Sequence, residues 1–345
     1  VKELMDDVIR FLQVRLSKGY WPELQQPIGV GAAFEGWSPN EDEPVYHLLV
    51  PLKPPRSYVF KLGLDSTGQI PAQESYIQVE LECTCSKEEA GRECFVQHLT
   101  EELRRPPGLS DIVSLCTSSN LDVQKTASWF RGLLSLGWAA MPQSRQYGLK
   151  LLPSARSCML QLTSVKGKTR GETFLVEIIF GVQKDNSDIF LSSEARDSVL
   201  SPSTMWRVSY AVAEGKTFKA IAARVPRGSF HLKCLQACTS ILVGTSFSTH
   251  IMKTIVMHLL TTIPLSHWQD RDFVPRLQDI MWYLSSSLKE KRLNHFFIGN
   301  KNLPEEINLP APFQSAKPCN LFHHLAQDPA AHGQALKEFE ELLDR

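Results

Sequence analysis

Hydrophobic and polar positions change their period part-way along this chain. Residues 1–18, VKELMDDVIRFLQVRLSK, place Leu4, Val8, Phe11 and Leu12 at helical spacing and predict an amphipathic helix. Strand-like runs follow at 45–52 (VYHLLVPL), 75–85 (SYIQVELECTC) and 173–182 (TFLVEIIFGV), dense in Val, Ile, Tyr and Phe with turn residues between them. A helix over 121–136, LDVQKTASWFRGLLSL, interrupts the strands, while YGLKLLP and SCMLQLTSV predict an antiparallel pair. Residues 1–203 therefore read as a lobe of mixed or antiparallel sheet with helices.

Beyond residue 203 the pattern turns helical. SPSTMWRVSYAVAEGKTFKAIAARV predicts a helix with Ser and Thr caps running to Pro226, and SFHLKCLQACTSILVG predicts one ending at Gly244. STHIMKTIVMHLLTTIP carries an apolar stripe wide enough for a helix buried on most sides. DFVPRLQDIMWYLSSSLKEKRL tolerates Pro275 in its first turn. The Pro-rich connector 302–318 precedes a closing helix over 330–344. Residues 204–345 are thus expected to form an all-helical C-terminal lobe. The fold class is α+β, and no internal repeat is evident.

Composition narrows the classes. With 345 residues the chain is long enough for a large core in two lobes. Lys plus Arg and Asp plus Glu number 37 each, so no net field recruits nucleic acid or an anionic membrane. No apolar run reaches the roughly 20 residues that span a bilayer. The chain opens at Val1 with neither methionine nor a signal-like segment, which points to a piece of a longer protein. Eight cysteines in this length neither make a disulfide scaffold nor are unusual for a reducing compartment, so they leave the compartment open. Cys83 and Cys85 share a strand face, and Cys234 and Cys238 a helix face, but neither spacing forces a bridge.

Several stretches carry family character: GVGAAFEGW…VYHLLVPLKPP, LDVQKTASWFRGL, LVEIIFGVQ, SFHLKCLQ, MKTIVMHLL and RLQDIMWYLSSSLKEKRLNHFFIGN. Over nearly the whole chain they resemble the inositol-trisphosphate-receptor-interacting-protein family. That family belongs to the male-abnormal-twenty-one superfamily, whose fold is similar to cyclic GMP-AMP synthase. The resemblance implies a bilobed nucleotidyltransferase fold with an α/β catalytic lobe and a helical lobe.

In active members a Gly-Ser loop cradles phosphates, and alternate carboxylates on the next strand hold Mg²⁺ with a third from another strand. Phosphoryl transfer requires this, because Mg²⁺ takes hard oxygen ligands and alternate strand residues face one way. Here the loop reads Gly31-Ala32, without a hydroxyl, and the carboxylate positions fall on Val45 and His47. Valine binds no metal, and neutral imidazole suits zinc, copper or iron better than magnesium. Glu43 shares their strand face but lies a dipeptide, roughly 6.6 Å, earlier, with Pro44 between. Asp42 and Glu41 belong to the loop. The two-metal site reads as lost. Glu177 stands against this, a carboxylate inside FLVEIIFGV, costly to bury unpaired. It reads either as a surviving third carboxylate in a vestigial pocket, or as an edge-strand residue reaching water, Arg or Lys. Gly31, Ala32, Val45, His47 and Glu177 are the candidate pocket residues. No catalytic residue, metal ligand or cofactor is assigned.

Other constellations read as structural. His231, Cys234 and Cys238 share a helical face and could begin a zinc site, but no fourth ligand is near, and half-buried packing is expected. His323-His324 fits the start or cap of a late helix. No Gly-x-Ser-x-Gly or Walker-type loop occurs. Trp206, Tyr210 and Phe218 are expected to pack inward at helical period. Lys216, Lys219, Arg224 and Arg227 are expected to stay solvated, which argues against nucleic-acid binding.

The expected function is that of a catalytically inactive, nucleotidyltransferase-fold module that binds another protein. The resemblance further implies a membrane-tethered protein, anchored through segments outside this chain, at the plasma membrane with this domain extracellular. The favoured protein partner it implies is the T-cell receptor signalling complex, which one branch of the family restrains as a cell-surface ligand, and the inositol-trisphosphate receptor calcium channel is the alternative. Alternatives are a divergent nucleotidyltransferase and a pseudoenzyme that keeps a nucleotide or inositol phosphate as a switch.

Overall fold

A computed structural model of the chain describes residues 1–39, 44–63, 73–82, 110–165, 172–194, 201–225 and 229–344. In chain order, α1 (Lys2–Leu16) leads to the short strands β1 (Glu23–Leu24) and β2 (Ile28–Val30) and a single helical turn, α2 (Ala32–Glu35). Strands β3 (Val45–Lys53), β4 (Tyr58–Leu62) and β5 (Glu74–Leu81) follow, then α3 (Ser110–Ser114), the hairpin β6 (Cys116–Thr117) and β7 (Asn120–Leu121), and α4 (Val123–Gly137). Next come β8 (Tyr147–Leu152), β9 (Cys158–Ser164), β10 (Thr173–Gln183), β11 (Phe190–Ser192) and β12 (Met205–Ser209). The remainder is helical: α5 (Ala211–Arg224), α6 (His231–Ser240), α7 (Thr249–Thr262), α8 (Phe273–Glu290), α9 (Ala311–Ser315), α10 (His323–Gln327) and α11 (Pro329–Leu343). The α+β class expected from the sequence is what the chain adopts.

Among the described residues the strands form one mixed sheet whose main path runs β1-β3-β10-β11-β12-β5-β7-β6, with β9 also pairing β10. β3 and β10 run parallel; every other pairing is antiparallel, including the predicted β8–β9 pair. The chain divides into two compact units. The first takes its described residues from 1–30, 45–63, 73–82 and 110–212, and the second from 31–39, 44 and 213–344.

In the first unit α4 packs against β9 and β10, with the Phe130 and Phe180 rings edge-to-face at 5.2 Å. Val8, Ile9, Leu48, Leu160, Ile178 and Leu134 are all buried in the same unit. Each such side chain contributes about 1.5–3 kcal/mol when removed from water. Asp122 caps α4, accepting from the Gln124 and Lys125 amides and from the Thr117 and Ser203 hydroxyls. Burial opposes its charge, but the Ser203 hydroxyl and the other donors outweigh burial and hold the carboxyl below its usual range.

One expectation is corrected here. The helix predicted from residue 203 starts only at Ala211, because Met205–Ser209 is a strand. Its alternating burial sends Trp206 and Val208 inward, and the Trp206 indole N–H donates to Leu121 O at 2.8 Å. Trp206 therefore packs in the first unit as part of a strand, while Phe218 lies on α5. In the second unit α7 is buried on most sides, as its wide apolar stripe predicts, and packs with α6 and α8.

Candidate functional site

The parallel pairing of β3 with β10 fixes the geometry of the expected pocket strand. Val45 stands opposite Leu175, His47 opposite Glu177, and Leu49 opposite Ile179. Both strands leave water on one face only at their first halves. Val45, His47, Leu175 and Glu177 are half-buried, whereas Leu49 and Ile179, further along the same faces, are buried. A carboxylate is tolerated at Glu177 because the covering stops there.

Glu177 is not on an edge strand, since β10 is flanked by β3 and β9. Its carboxylate accepts the Ser157 hydroxyl at 2.6 Å on Oε1 and meets His47 Nε2 at 3.3 Å on Oε2. Ser157 is held in turn by Ser154, whose Oγ lies 2.7 Å from Ser157 Oγ and accepts the Ser157 amide at 3.2 Å. Arg131 donates to Ser154 O. So Glu177 is engaged by a hydroxyl and an imidazole rather than by the Arg or Lys expected of a structural glutamate.

This order of groups sets its chemistry. The carboxylate lies between serine and histidine, so the imidazole does not activate the hydroxyl as a base between nucleophile and acid does. The residues present do not fit a two-magnesium centre either. Val45 offers hydrocarbon, His47 a nitrogen ligand, and Glu177 is a single carboxylate that already accepts from Ser157 and lies 3.3 Å from His47. Among the described residues no group of three His, Cys, Asp or Glu side chains has metal-holding geometry. Glu41, Asp42 and Glu43 lie outside the described residues.

Gly31 and Ala32 belong to the second unit. Gly31 precedes α2 at φ 77°, a left-handed value that favours glycine, and its carbonyl accepts the Phe34 and Glu35 amides. Ala32 begins the turn with a methyl where a hydroxyl would face phosphate, and its carbonyl accepts Gly36 and Trp37.

The same turn builds a constellation that sequence reasoning missed. Glu35 reaches Lys253 of α7 at 2.7 Å, and Glu214 of α5 meets the same ammonium at 2.6 Å. The Trp37 indole donates to Glu35 at 2.7 Å, and Lys253 also lies 5.5 Å from the Trp37 ring centre and 5.6 Å from that of Phe218. His250 Nδ1 is 3.3 Å from Glu214. Burial opposes the lysine's charge, but Glu214 and then Glu35 outweigh it and hold its pKa above the ordinary value. Burial likewise opposes ionisation of Glu214, yet Lys253 and His250 hold its carboxyl far below the usual range. The legible signal was a lysine inside the apolar stripe of α7. Held charged in this way, Lys253 is a counter-ion rather than a nucleophile.

His231, Cys234 and Cys238 do share the face of α6 expected of them, but they are buried, not half-buried. Burial lowers His231 to about 4 and pushes both thiols up to about 12, which disfavours thiolate ligation. Cys116, Cys158, Cys234, Cys238 and Cys319 are free thiols. Cys83 and Cys85, and with them the expectation about a bridge, lie outside the described residues. His323 begins α10 and approaches Gln327 on its exposed side. No helix among the described residues is long and apolar enough to cross a membrane.

Residues 231–328 match the Mab-21 protein HhH/H2TH-like domain. The chain is similar over 99% of its length to the inositol 1,4,5-trisphosphate receptor-interacting protein-like 1 of Rattus norvegicus, at 35% identity across 356 residues. Its similarity to the human inositol 1,4,5-trisphosphate receptor-interacting protein is 28% identity, over 98% of this chain. The chain spans 64% and 65% of those two proteins, so it corresponds to a part of each. Its α+β architecture, the Mab-21 match over its helical part and its near end-to-end similarity agree in likening the chain to the inositol 1,4,5-trisphosphate receptor-interacting proteins.

Proposed function

We propose that this chain is a nucleotidyltransferase-fold module that has given up nucleotidyl transfer and works by binding another protein. The observation that carries the reading is Glu177, whose carboxylate is closed off by Ser157 and His47, on a strand pair that supplies Val45 where a second carboxylate is needed. The names of the relatives favour the inositol 1,4,5-trisphosphate receptor as the partner class. Membrane tethering through segments outside this chain is part of the same reading. So is an extracellular placement at the plasma membrane, if the partner is instead the T-cell receptor signalling complex.

Calorimetric titration with Mg²⁺, Mn²⁺ and the four nucleoside triphosphates, with product assayed in the same samples, tests the inactive site. Neither metal-dependent binding nor product is expected; turnover would sink the reading. Co-precipitation of the purified chain with each of the two candidate partners decides between them. Capture of neither, under conditions where the chain is folded, overturns the interaction role.

A further inference from the structure

A pocket of about 300 Å³ lies in the first unit, between the end of α1, the segment leading into β1, and the turn joining β3 to β4. Its volume is at the lower end of the range that holds small ligands or a few side chains. Leu16, Trp21, Pro22, Leu24 and Pro55 give it apolar walls. Trp21 is fixed in place. Its indole stacks on that of Trp129 with centres 5.4 Å apart and planes 18° from parallel. Behind it, the Tyr20 amide donates to Asp111 at 3.1 Å. Gly19 is required there, since a Cβ would stand 2.8 Å from Trp21 Cδ1 and 2.9 Å from Asp111 Oδ2. The aromatic wall is therefore assembled before any ligand arrives.

The rim carries the polar information. Arg56 is exposed on a hydrogen-bonded turn in which the Tyr58 amide donates to Pro55 O at 3.1 Å. Ser57, at φ 63°, is locked by the Glu82 amide donating to its carbonyl. The turn thus fixes the backbone from which Arg56 projects, and Arg56 pairs with no carboxylate among the described residues. Glu23, the acidic residue of the rim, stands directly opposite Lys53 across the β1–β3 ladder, so the pocket's edge carries Lys53 and Arg56 against one carboxylate. The Leu24 carbonyl at the sheet edge is covered by the Gln13 amide at 2.6 Å, which opposes the simple addition of a further strand. What remains, among the described residues, is a guanidinium without an ion pair beside a stacked indole and two prolines.

We propose that this pocket receives an acidic peptide segment of the partner, with a carboxylate on Arg56 and a neighbouring apolar side chain against Trp21. The proposal rests on the interaction-module reading and gives that module a docking point. A guanidinium recognises a carboxylate through two parallel N–H donors, and a preformed aromatic wall lowers the entropy cost of ordering the apolar neighbour. The charge complementarity selects an acidic segment over a basic or purely apolar one.

The test uses two probes, acetyl-Glu-Phe-amide and acetyl-Gln-Phe-amide, titrated into the ¹⁵N-labelled 345-residue chain while the Trp21 indole N–H resonance is followed. The resonance is assigned with Trp21→Phe. A saturable shift is expected with the glutamyl probe, with a dissociation constant on the order of 1 mM. Binding about tenfold weaker is expected for the glutaminyl probe, and for the glutamyl probe on Arg56→Gln. Arg56 is exposed, so that variant keeps its fold, which its amide spectrum checks. No saturable shift, equal affinity for the two probes, or undiminished binding by Arg56→Gln each overturns the proposal. Partner capture separates the two readings. If Arg56→Gln captures the partner as well as the parent does, the pocket assignment falls and the module stands. If the parent binds the probe as expected but captures no partner, the module reading falls and the carboxylate site stands.

Discussion

His47 and Glu177 occupy directly opposed positions on two parallel strands, and their side chains meet at 3.3 Å. Parallel pairing at this register brings together a residue from a predicted ligand position and one from a predicted third-ligand strand, more than a hundred residues apart in sequence. The two strands thus bring an imidazole and a carboxylate together at the positions where the sequence reading looks for metal ligands. The histidine meets one oxygen of the Glu177 carboxylate, and a serine hydroxyl donates to the other.

Glu177→Gln should therefore be a mild change. The pair is partly exposed, with His47 at 39% and Glu177 at 26% side-chain exposure, and such pairs contribute about 0–1 kcal/mol. An amide at this position still accepts the Ser157 hydroxyl. Urea denaturation should show a midpoint close to the parent's, and a loss above about 3 kcal/mol would mean that Glu177 carries far more than this geometry implies.

Lys253→Met should be severe. It leaves Glu35 and Glu214 buried without their cation, a change that costs about 3–5 kcal/mol in comparable buried pairs. Combining it with Glu35→Gln and Glu214→Gln should recover part of the loss, because the uncompensated charges are then gone. Equilibrium unfolding of the single and triple variants checks this; equal stability of the two would contradict an ionic role.

Acid should weaken the second unit before its carboxylates protonate. His295 and His231 are buried, and burial lowers them to about 3 and about 4. Each imidazole is held neutral in the folded state, so its contribution is complete above the unfolded value near 6.5 and is lost as pH falls toward the folded value. Each contributes a slope of about 1.4 kcal/mol per pH unit over that window. Glu214, held far below its usual range, adds a loss only below about pH 4.3, its unfolded value. Unfolding measured from pH 7 to 4.5 should fall steeply, and His295→Asn should flatten the slope. A pH-independent midpoint over that range would rule this out.

Thiol labelling offers a separate check. Cys158, Cys234 and Cys238 are buried and pushed up to about 12, so they should resist iodoacetamide at pH 8 in the folded chain and react on denaturation. Half-buried Cys319 should be the most reactive of the described thiols. Fast native labelling of Cys234 and Cys238 together would show that α6 opens.

The sequence made parts of this fold legible where one physical signal dominates. β3 and β10 are dense in β-branched residues, and α7 has a stripe too wide for a surface helix. β12 was misread because five strand residues adjoin a true helix and follow Ser and Thr, which mimic a cap. Glu177 was legible as a polar interruption of an apolar strand. Its partner Ser157 was not, because antiparallel pairing sets that distance and local pattern does not encode it. The Glu35–Lys253 pair spans 218 positions, and no periodicity argument connects two such residues. Only the lone cation in an apolar helix hinted that a counter-ion must come from somewhere.

That counter-ion comes from the short turn after Gly31, so the helical unit is not a continuous stretch of chain. A fragment expressed from residue 213 onward would retain Lys253 and Glu214 but leave Glu35 and Trp37 behind. One carboxylate and one aromatic wall would be missing from a site where almost no water reaches. The matched stretch 231–328 is smaller still and lacks Glu214 as well. The recognisable domain and the compact unit are therefore different objects in this protein, and an excised helical piece should need a synthetic peptide carrying GAAFEGW to regain its full cooperativity.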